Sequence, residues 1–225
     1  MPSTILITGA NGNLGTEVVK KILEAGFRVI AIDGKDDHLQ FASGNPAYRF
    51  HSIDLTDENA VDSILGKLLE QENISAGFLL AGGFAMGKIG ETNATEMRRM
   101  IDLNFFTAYS IARQLYGSMQ SKGYGRLVFI GARPPLEPMA GHKMSAYAIS
   151  KSMIFRLAEH INAESKDVDI TATVIVPATI DTPANRTSMP NADYSKWVTP
   201  AQIAALLLVI VSETGAPLRE TILKM

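Results

Sequence analysis

Short β-branched runs alternate with longer amphipathic stretches from one end of the chain to the other, and no other feature constrains the fold as tightly. Thr4–Thr8 reads as a first strand, and a helical stretch from about Leu14 to Ala25 ends at Gly26. Arg28–Ile32 and Tyr48–Ile53 follow as strands two and three. Thr56 can cap the next helix, with Asp57 and Glu58 in its first turn, where the helix dipole favours acids. Gly77–Ala81 is expected as the fourth strand, bounded by Gly82 and Gly83. Asn93 and Glu96 have capping-box spacing and open a long helix to about Gln120. Arg126–Ile130, a helix from about Ser145 to Ala163, and the strongly β-branched Asp169–Val176 come next. Thr199-Pro200 suits the N-cap and first position of a last helix, and Thr221–Leu223 can form a terminal strand.

Repeated strand–helix units imply a doubly wound α/β fold: a mostly parallel sheet with helices on both faces and right-handed crossovers. The 225 residues fit one domain, 1–225, without a linker or repeat to divide it. Ligands of such a sheet sit at the carboxyl ends of the strands, near the switch in strand order. The one long irregular stretch, Ala178–Val198, is the expected substrate loop, because loops of that length are often lids.

Composition narrows the chemistry. A formal net charge of -2 gives no electrostatic reason to expect nucleic acid or an anionic membrane as partner. The absence of cysteine excludes disulfides, thiolate catalysis and cysteine-ligated zinc. His38, His51, His142 and His160 have no ligand-like spacing, so no metal site is expected. Met1–Ala10 reads as a strand rather than a secretory leader, and Ile203–Val211 is too short to cross a bilayer. A cytoplasmic protein acting on a small molecule fits these features.

Thr8-Gly9-Ala10-Asn11-Gly12-Asn13-Leu14-Gly15 lies between the first strand and the first helix. Glycines there let a pyrophosphate approach the helix amino end, where free N–H groups favour anions. The spacing is GxxGxxG rather than GxGxxG, and a simple turn is the alternative. Asp33 ends the second strand 18 positions after Gly15, where a carboxylate can accept hydrogen bonds from ribose hydroxyls and repel a 2′-phosphate. The alternative is a turn-capping aspartate, and the nearby Lys35 tempers a preference for NAD over NADP. Tyr147 and Lys151 have YxxxK spacing, which puts both on one helix face. A nearby ammonium and an oxidised nicotinamide would stabilise tyrosinate; the alternative is an amphipathic tyrosine at a helix interface.

Together these motifs resemble the short-chain dehydrogenase/reductase family over essentially the whole chain, which implies a Rossmann-type fold and NAD(P)-dependent redox chemistry. The resemblance makes Tyr147 the proton donor, Lys151 the residue that orients the nicotinamide ribose, and Asn104 the member that completes the proton relay. It adds candidate cofactor contacts: Gly9, Asn11, Gly12, Asn13, Leu14 and Gly15 in the turn, and Asp54 with Leu55 at the adenine. Ala81, Gly82 and Gly83 stand where the family usually has Asn-Asn-Ala-Gly. Pro177, Ile180 and Thr182 are the expected nicotinamide-side contacts, though Pro177 could simply end a strand and Thr182 stabilise a turn.

One departure is informative. Most members carry a serine some 13 residues before the tyrosine to polarise a substrate carbonyl; here Gly131-Ala132-Arg133 offers no hydroxyl. The stretch from Val176 to Trp197 is similar to that of dihydropteridine reductases, as are the Gly82-Gly83-Phe84 turn and Ala132 itself. That likeness implies an NADH-dependent reductase of a quinonoid dihydropteridine or similar heterocycle, NADP being possible, with Phe84, Ala132, Met189 and Trp197 at the substrate. Phe84, Met189 and Trp197 could instead be lid packing. Other readings are a reductase of another small carbonyl or imine, and a dinucleotide sensor without turnover, against which the intact Tyr147–Lys151 pair argues. Family members usually associate through two long central helices, so a homodimer is expected.

Overall fold

The computed structural model describes residues 3–225; Met1 and Pro2, at the head of the first expected strand segment, lie outside the described residues. Seven strands form one parallel sheet in the order β3-β2-β1-β4-β5-β6-β7. They are β1 Thr4–Thr8, β2 Arg28–Asp33, β3 Tyr48–Ser52, β4 Ile74–Leu79, β5 Tyr124–Ile130, β6 Asp169–Val176 and β7 Ile222–Lys224. Chain order runs outward from β1 to β3 on one side and from β4 to β7 on the other, so the switch in strand order falls between β1 and β4.

Every residue of β1 is buried, as a central strand covered on both faces must be. Its alternation divides the core. Ile5 and Ile7 join one apolar cluster with Val18, Val19 and Ile22 of α1 (Asn13–Glu24) and with Ile203 and Leu207 of α7 (Pro200–Val211). Leu6 faces the opposite cluster, with Leu65 of α2 (Glu58–Gln71), Leu115 of α4 (Thr107–Lys122) and Ile154 of α5 (Ser145–Glu164). Burying each such side chain stabilises the fold by roughly 1.5–3 kcal/mol. The three-layer arrangement expected from the sequence is therefore present, and the register pairs Thr8 with Ile32 and Leu79, and Ile130 with Ile175, aligning the strands' carboxyl ends.

Local differences have local causes. Thr56 does not cap α2; its N–H and hydroxyl both donate to Asp54 Oδ1, and Asp57 is the N-cap, accepting from Ala60 N at 3.1 Å. The fourth strand starts and ends earlier than Gly77–Ala81, because Leu80 to Phe84 leave the ladder to form the wall of the site. The long helix after Asn93 is two helices, α3 (Ala94–Ile101) and α4, joined by a π-helical turn over Asp102–Phe106. Such turns are frequent at functional sites, and this one carries Asn104. The 178–198 segment is partly ordered, holding the short helix α6 (Pro183–Ser188) and a 3-10 turn at Tyr194–Lys196. Among the described residues no helix is long and apolar enough to cross a membrane, and no His, Cys, Asp and Glu cluster could hold a metal ion.

Candidate active site

The first part of the site lies where β1 and β4 diverge. Gly9 adopts φ +65°, and a Cβ there would stand 2.8 Å from Ala81 N, so the turns after β1 and β4 touch only because this residue is glycine. A Cβ on Gly15 would sit 2.1 Å from Gly9 O, which fixes how closely α1 can approach the turn. Gly12 is the N-cap of α1 in extended conformation and supplies no side chain, so the first-turn amides of a 12-residue helix face outward uncapped. The result is a cradle shaped by missing side chains and lined with N–H donors, which fits the pyrophosphate of a dinucleotide.

Gly9, Gly12, Asp33, Asp54 and Leu55 line a single cavity of about 690 Å³ there, together with Ala81 and Gly82. Seven of the positions expected to touch the cofactor thus converge, although they come from four separate loops. Asp33 Oδ1 accepts from Gly34 N at 2.7 Å and Oδ2 from Asn11 N at 3.0 Å, which holds the carboxylate at the rim. Asn11 is buried, and its side chain turns away from the cavity lining toward Asp37 and His38. Asp54 is exposed, and the two hydrogen bonds from Thr56 hold its carboxyl below the usual range. Leu103 and Thr107, at the π-helical turn, also line this cavity; nothing in the sequence singled them out.

The second part is built by α5 against β5 and the π turn. Lys151 is 6% exposed and its ammonium donates to Ile130 O at 2.8 Å. Burial pushes Lys151 down to about 8 and Tyr147 up to about 12. The expected lowering of Tyr147 by its lysine is therefore not what dominates; desolvation is. At neutral pH that leaves Tyr147 a neutral O–H, the form needed to donate a proton rather than accept one. The edge of Tyr147 meets Phe84 in a T-shaped contact with ring centroids 5.0 Å apart. Phe84 is itself 56% exposed, so the pair forms an open aromatic corner.

Asn104, 1% exposed, binds on both sides. Its Oδ1 accepts from Gly83 N at 2.9 Å and its Nδ2 donates to Ser150 Oγ at 3.0 Å. Ser150 in turn donates to Tyr147 O at 2.9 Å. A Cβ on Gly82 would fall 2.7 Å from Asn104 Oδ1 and 3.2 Å from Lys151 Nζ, so the glycine turn packs directly on the pair. The side chain of Asn104 is thus a brace joining the turn after β4 to α5. Ser150, fully buried within the YxxxK segment, is marked by its contacts alone and not by its spacing in the sequence.

Ala132 is buried just beyond β5 and has no side-chain polar atom to offer a substrate. Pro177 is buried at the end of β6, and Ile180 pairs with Val198 across the base of the 178–198 segment. Thr182 caps α6, accepting from Asn185 N. Asn13 and Leu14 are the first residues of α1. Met189 and Trp197 belong to the packing of the 178–198 segment: the Tyr194 and Trp197 rings meet at a tilt of 56° with centroids 4.7 Å apart, and the Tyr194 hydroxyl lies 3.3 Å from Met189 O. Of the four substrate residues expected from the sequence, Phe84 therefore lies with Tyr147, Met189 and Trp197 with Tyr194, and Ala132 is buried beyond β5.

A model of the short chain dehydrogenase family matches residues 3–193. The chain is 27% identical over 213 residues to a dihydropteridine reductase of Dictyostelium discoideum, covering 92% of this chain and 87% of that one. It is 26% identical over 227 residues to 3-oxoacyl-(acyl-carrier-protein) reductase MabA of Mycobacterium tuberculosis, covering 95% and 87%. A solved oxidoreductase of the short chain dehydrogenase/reductase family from Burkholderia thailandensis matches with a TM-score of 0.86 at 25% identity, over 100% of this chain and 91% of that one.

Proposed function

The chain belongs to the short-chain dehydrogenase/reductase family and is an NAD(P)-dependent oxidoreductase; on that premise we propose that it is an NADH-dependent reductase of a quinonoid dihydropteridine or a similar electron-poor heterocycle. The observation that carries this reading is Ala132. Where the family's carbonyl-polarising serine is expected, the residue is a buried alanine with no hydroxyl to offer. A conjugated, electron-poor ring accepts hydride without that help, whereas a simple ketone needs it. The 27% identity to a dihydropteridine reductase supports the same substrate class.

When bound, the reduced cofactor supplies a hydride. The turn from Gly9 to Gly15 would hold its pyrophosphate, Asp33 its adenosine ribose, and Asp54 with Leu55 its adenine. Pro177, Ile180 and Thr182 would border the nicotinamide. Lys151, whose ammonium donates to Ile130 O, would orient the ribose on that side. Tyr147 donates its hydroxyl proton to the reduced ring. Phe84 packs on Tyr147 and offers the apolar face on which a flat heterocycle can lie; Met189 and Trp197, packed with Tyr194 in the 178–198 segment, would border it. Desolvation at this corner keeps Tyr147 protonated until the substrate takes the proton.

A second reading, reduction of another small carbonyl or imine, is favoured by the 26% identity to a 3-oxoacyl reductase. The protein acts in the cytoplasm, in this proposal, as a homodimer through the outer faces of α4 and α5. An open groove of about 550 Å³ lined by Phe105, Tyr109, Tyr116 and Leu157 supports that pairing. Following NADH oxidation with quinonoid dihydropterins, ketones and quinones as acceptors tests the substrate assignment.

A further inference from the structure

Lys35 is the ammonium nearest in sequence to Asp33 and so the obvious receptor for a 2′-phosphate, yet it is already engaged. Its Nζ lies 2.8 Å from Asp37 Oδ2. An exposed ion pair alone is weak, because both side chains lose freedom and salt screens the charges. Asp37, however, is anchored independently. Its Oδ1 accepts from Asn11 Nδ2 at 2.5 Å, and Asn11 is 5% exposed. Asn11 Oδ1 accepts from His38 N at 2.8 Å, which fixes the orientation of that amide. The same residue's backbone N–H donates to Asp33 Oδ2 at 3.0 Å. One buried asparagine of the glycine turn therefore holds two carboxylates, one on its main chain and one on its side chain.

We propose that Asp37 is a specificity-determining residue which, anchored by Asn11, occupies Lys35 and so bars a 2′-phosphate from the adenosine end of the site. The inference rests on the NADH preference proposed above and deepens it. A phosphate monoester brings close to two negative charges and needs a cation to receive them. Asp33 repels it directly; Asp37 removes the receptor and adds a second negative charge beside it. The hydrogen bonds from Lys35 and Asn11 hold Asp37 at about 2, so the carboxylate is charged throughout the physiological range.

Asp37→Asn tests this, because the amide oxygen can still accept from Asn11 while the charge is gone. Kd for NADH and NADPH would be measured by fluorescence titration on the full chain, for the native protein, Asp37→Asn, and Asp37→Asn with Lys35→Ala. The expected result is that NADPH binds about tenfold more tightly to Asp37→Asn, that the ratio Kd(NADPH)/Kd(NADH) falls accordingly, and that the added Lys35→Ala abolishes the gain. A native protein that prefers NADH, with NADPH binding unmoved by Asp37→Asn, overturns the role of Asp37 and leaves the cofactor reading standing. A gain that survives Lys35→Ala also overturns it, since Lys35 would not be the receptor. A native protein that binds the two equally overturns both.

Discussion

Ser150 Oγ lies 3.0 Å from Asn104 Nδ2, with both residues buried, and this contact ties the helix that carries Tyr147 and Lys151 to the π-helical turn beside them. Removing the hydroxyl leaves a buried amide donor unpaired. Ser150→Ala is therefore expected to cost about 1–3 kcal/mol of stability. It should also lower kcat more than it raises KM, because Asn104, still bound to Gly83 N, would no longer tie that turn to the helix carrying Tyr147 and Lys151. Chemical denaturation and steady-state kinetics check the two effects. A fall in stability with unchanged kcat reduces the contact to ordinary packing.

Tyr147→Phe retains the ring that meets Phe84 and deletes the proton donor. The catalytic rate should fall about 10²-fold or more, with NADH binding nearly intact. Lys151→Ala should damage both, since in the proposed role the same ammonium orients the ribose, and it also packs against Gly82. Stopped-flow rates and cofactor titrations separate the two behaviours. Normal turnover of Tyr147→Phe with every accepted substrate would make the tyrosine structural.

Burial that lowers Lys151 to about 8 has a pH signature in the free protein. The folded chain disfavours the charged ammonium, so the unfolded state binds more protons between the folded value near 8 and the ordinary value of 10.5. Stability relative to Lys151→Met should rise across that window, by up to about 3 kcal/mol at 1.36 kcal/mol per pH unit, and stay level below it. Tyr147, raised to about 12, acts in the opposite direction above pH 10, and it cancels in this comparison because both proteins carry it. Denaturation of the two proteins at pH 7, 9 and 10.5 decides the matter, and a constant difference would contradict the burial argument.

Asp33 accepts from Gly34 N and Asn11 N, which holds its carboxylate at the cavity rim. Asp33→Ser should shrink the preference for NADH over NADPH by about 1–3 kcal/mol. Paired titrations of the two cofactors measure it directly. No change in the ratio would leave Asp33 as a turn residue only.

The fold was legible because it depends on period and punctuation. β-Branched runs such as Thr4–Thr8 and Asp169–Val176 could be little else, and Thr199-Pro200 takes the N-cap and first helical position its residues suggest, with Gln202 completing a capping box. The glycine turn was equally readable, since Gly9 and Gly15 act through backbone geometry at fixed spacing, and Asp33 ends β2 as expected. What escaped was set by tertiary contact. Asp57 rather than Thr56 caps α2 because Asp54 captures the threonine hydroxyl. The π turn at Asp102–Phe106 leaves no trace in a helical period, and Ser150 is distinguished only by the amide that reaches it. Trp197 keeps company with Tyr194 because the 178–198 segment folds on itself.

The central claim is that a site with a buried methyl at Ala132 in place of a hydroxyl, and a neutral Tyr147 as its proton donor, suits an acceptor already activated for hydride. The most direct measurement is the rate of NADH oxidation by the purified protein with a quinonoid dihydropterin against simple ketones, repeated for Ala132→Ser. The account predicts pterin reduction well above ketone reduction, and no substantial improvement of the pterin rate by the serine. Ready reduction of ketones with the quinonoid pterin left untouched would contradict it.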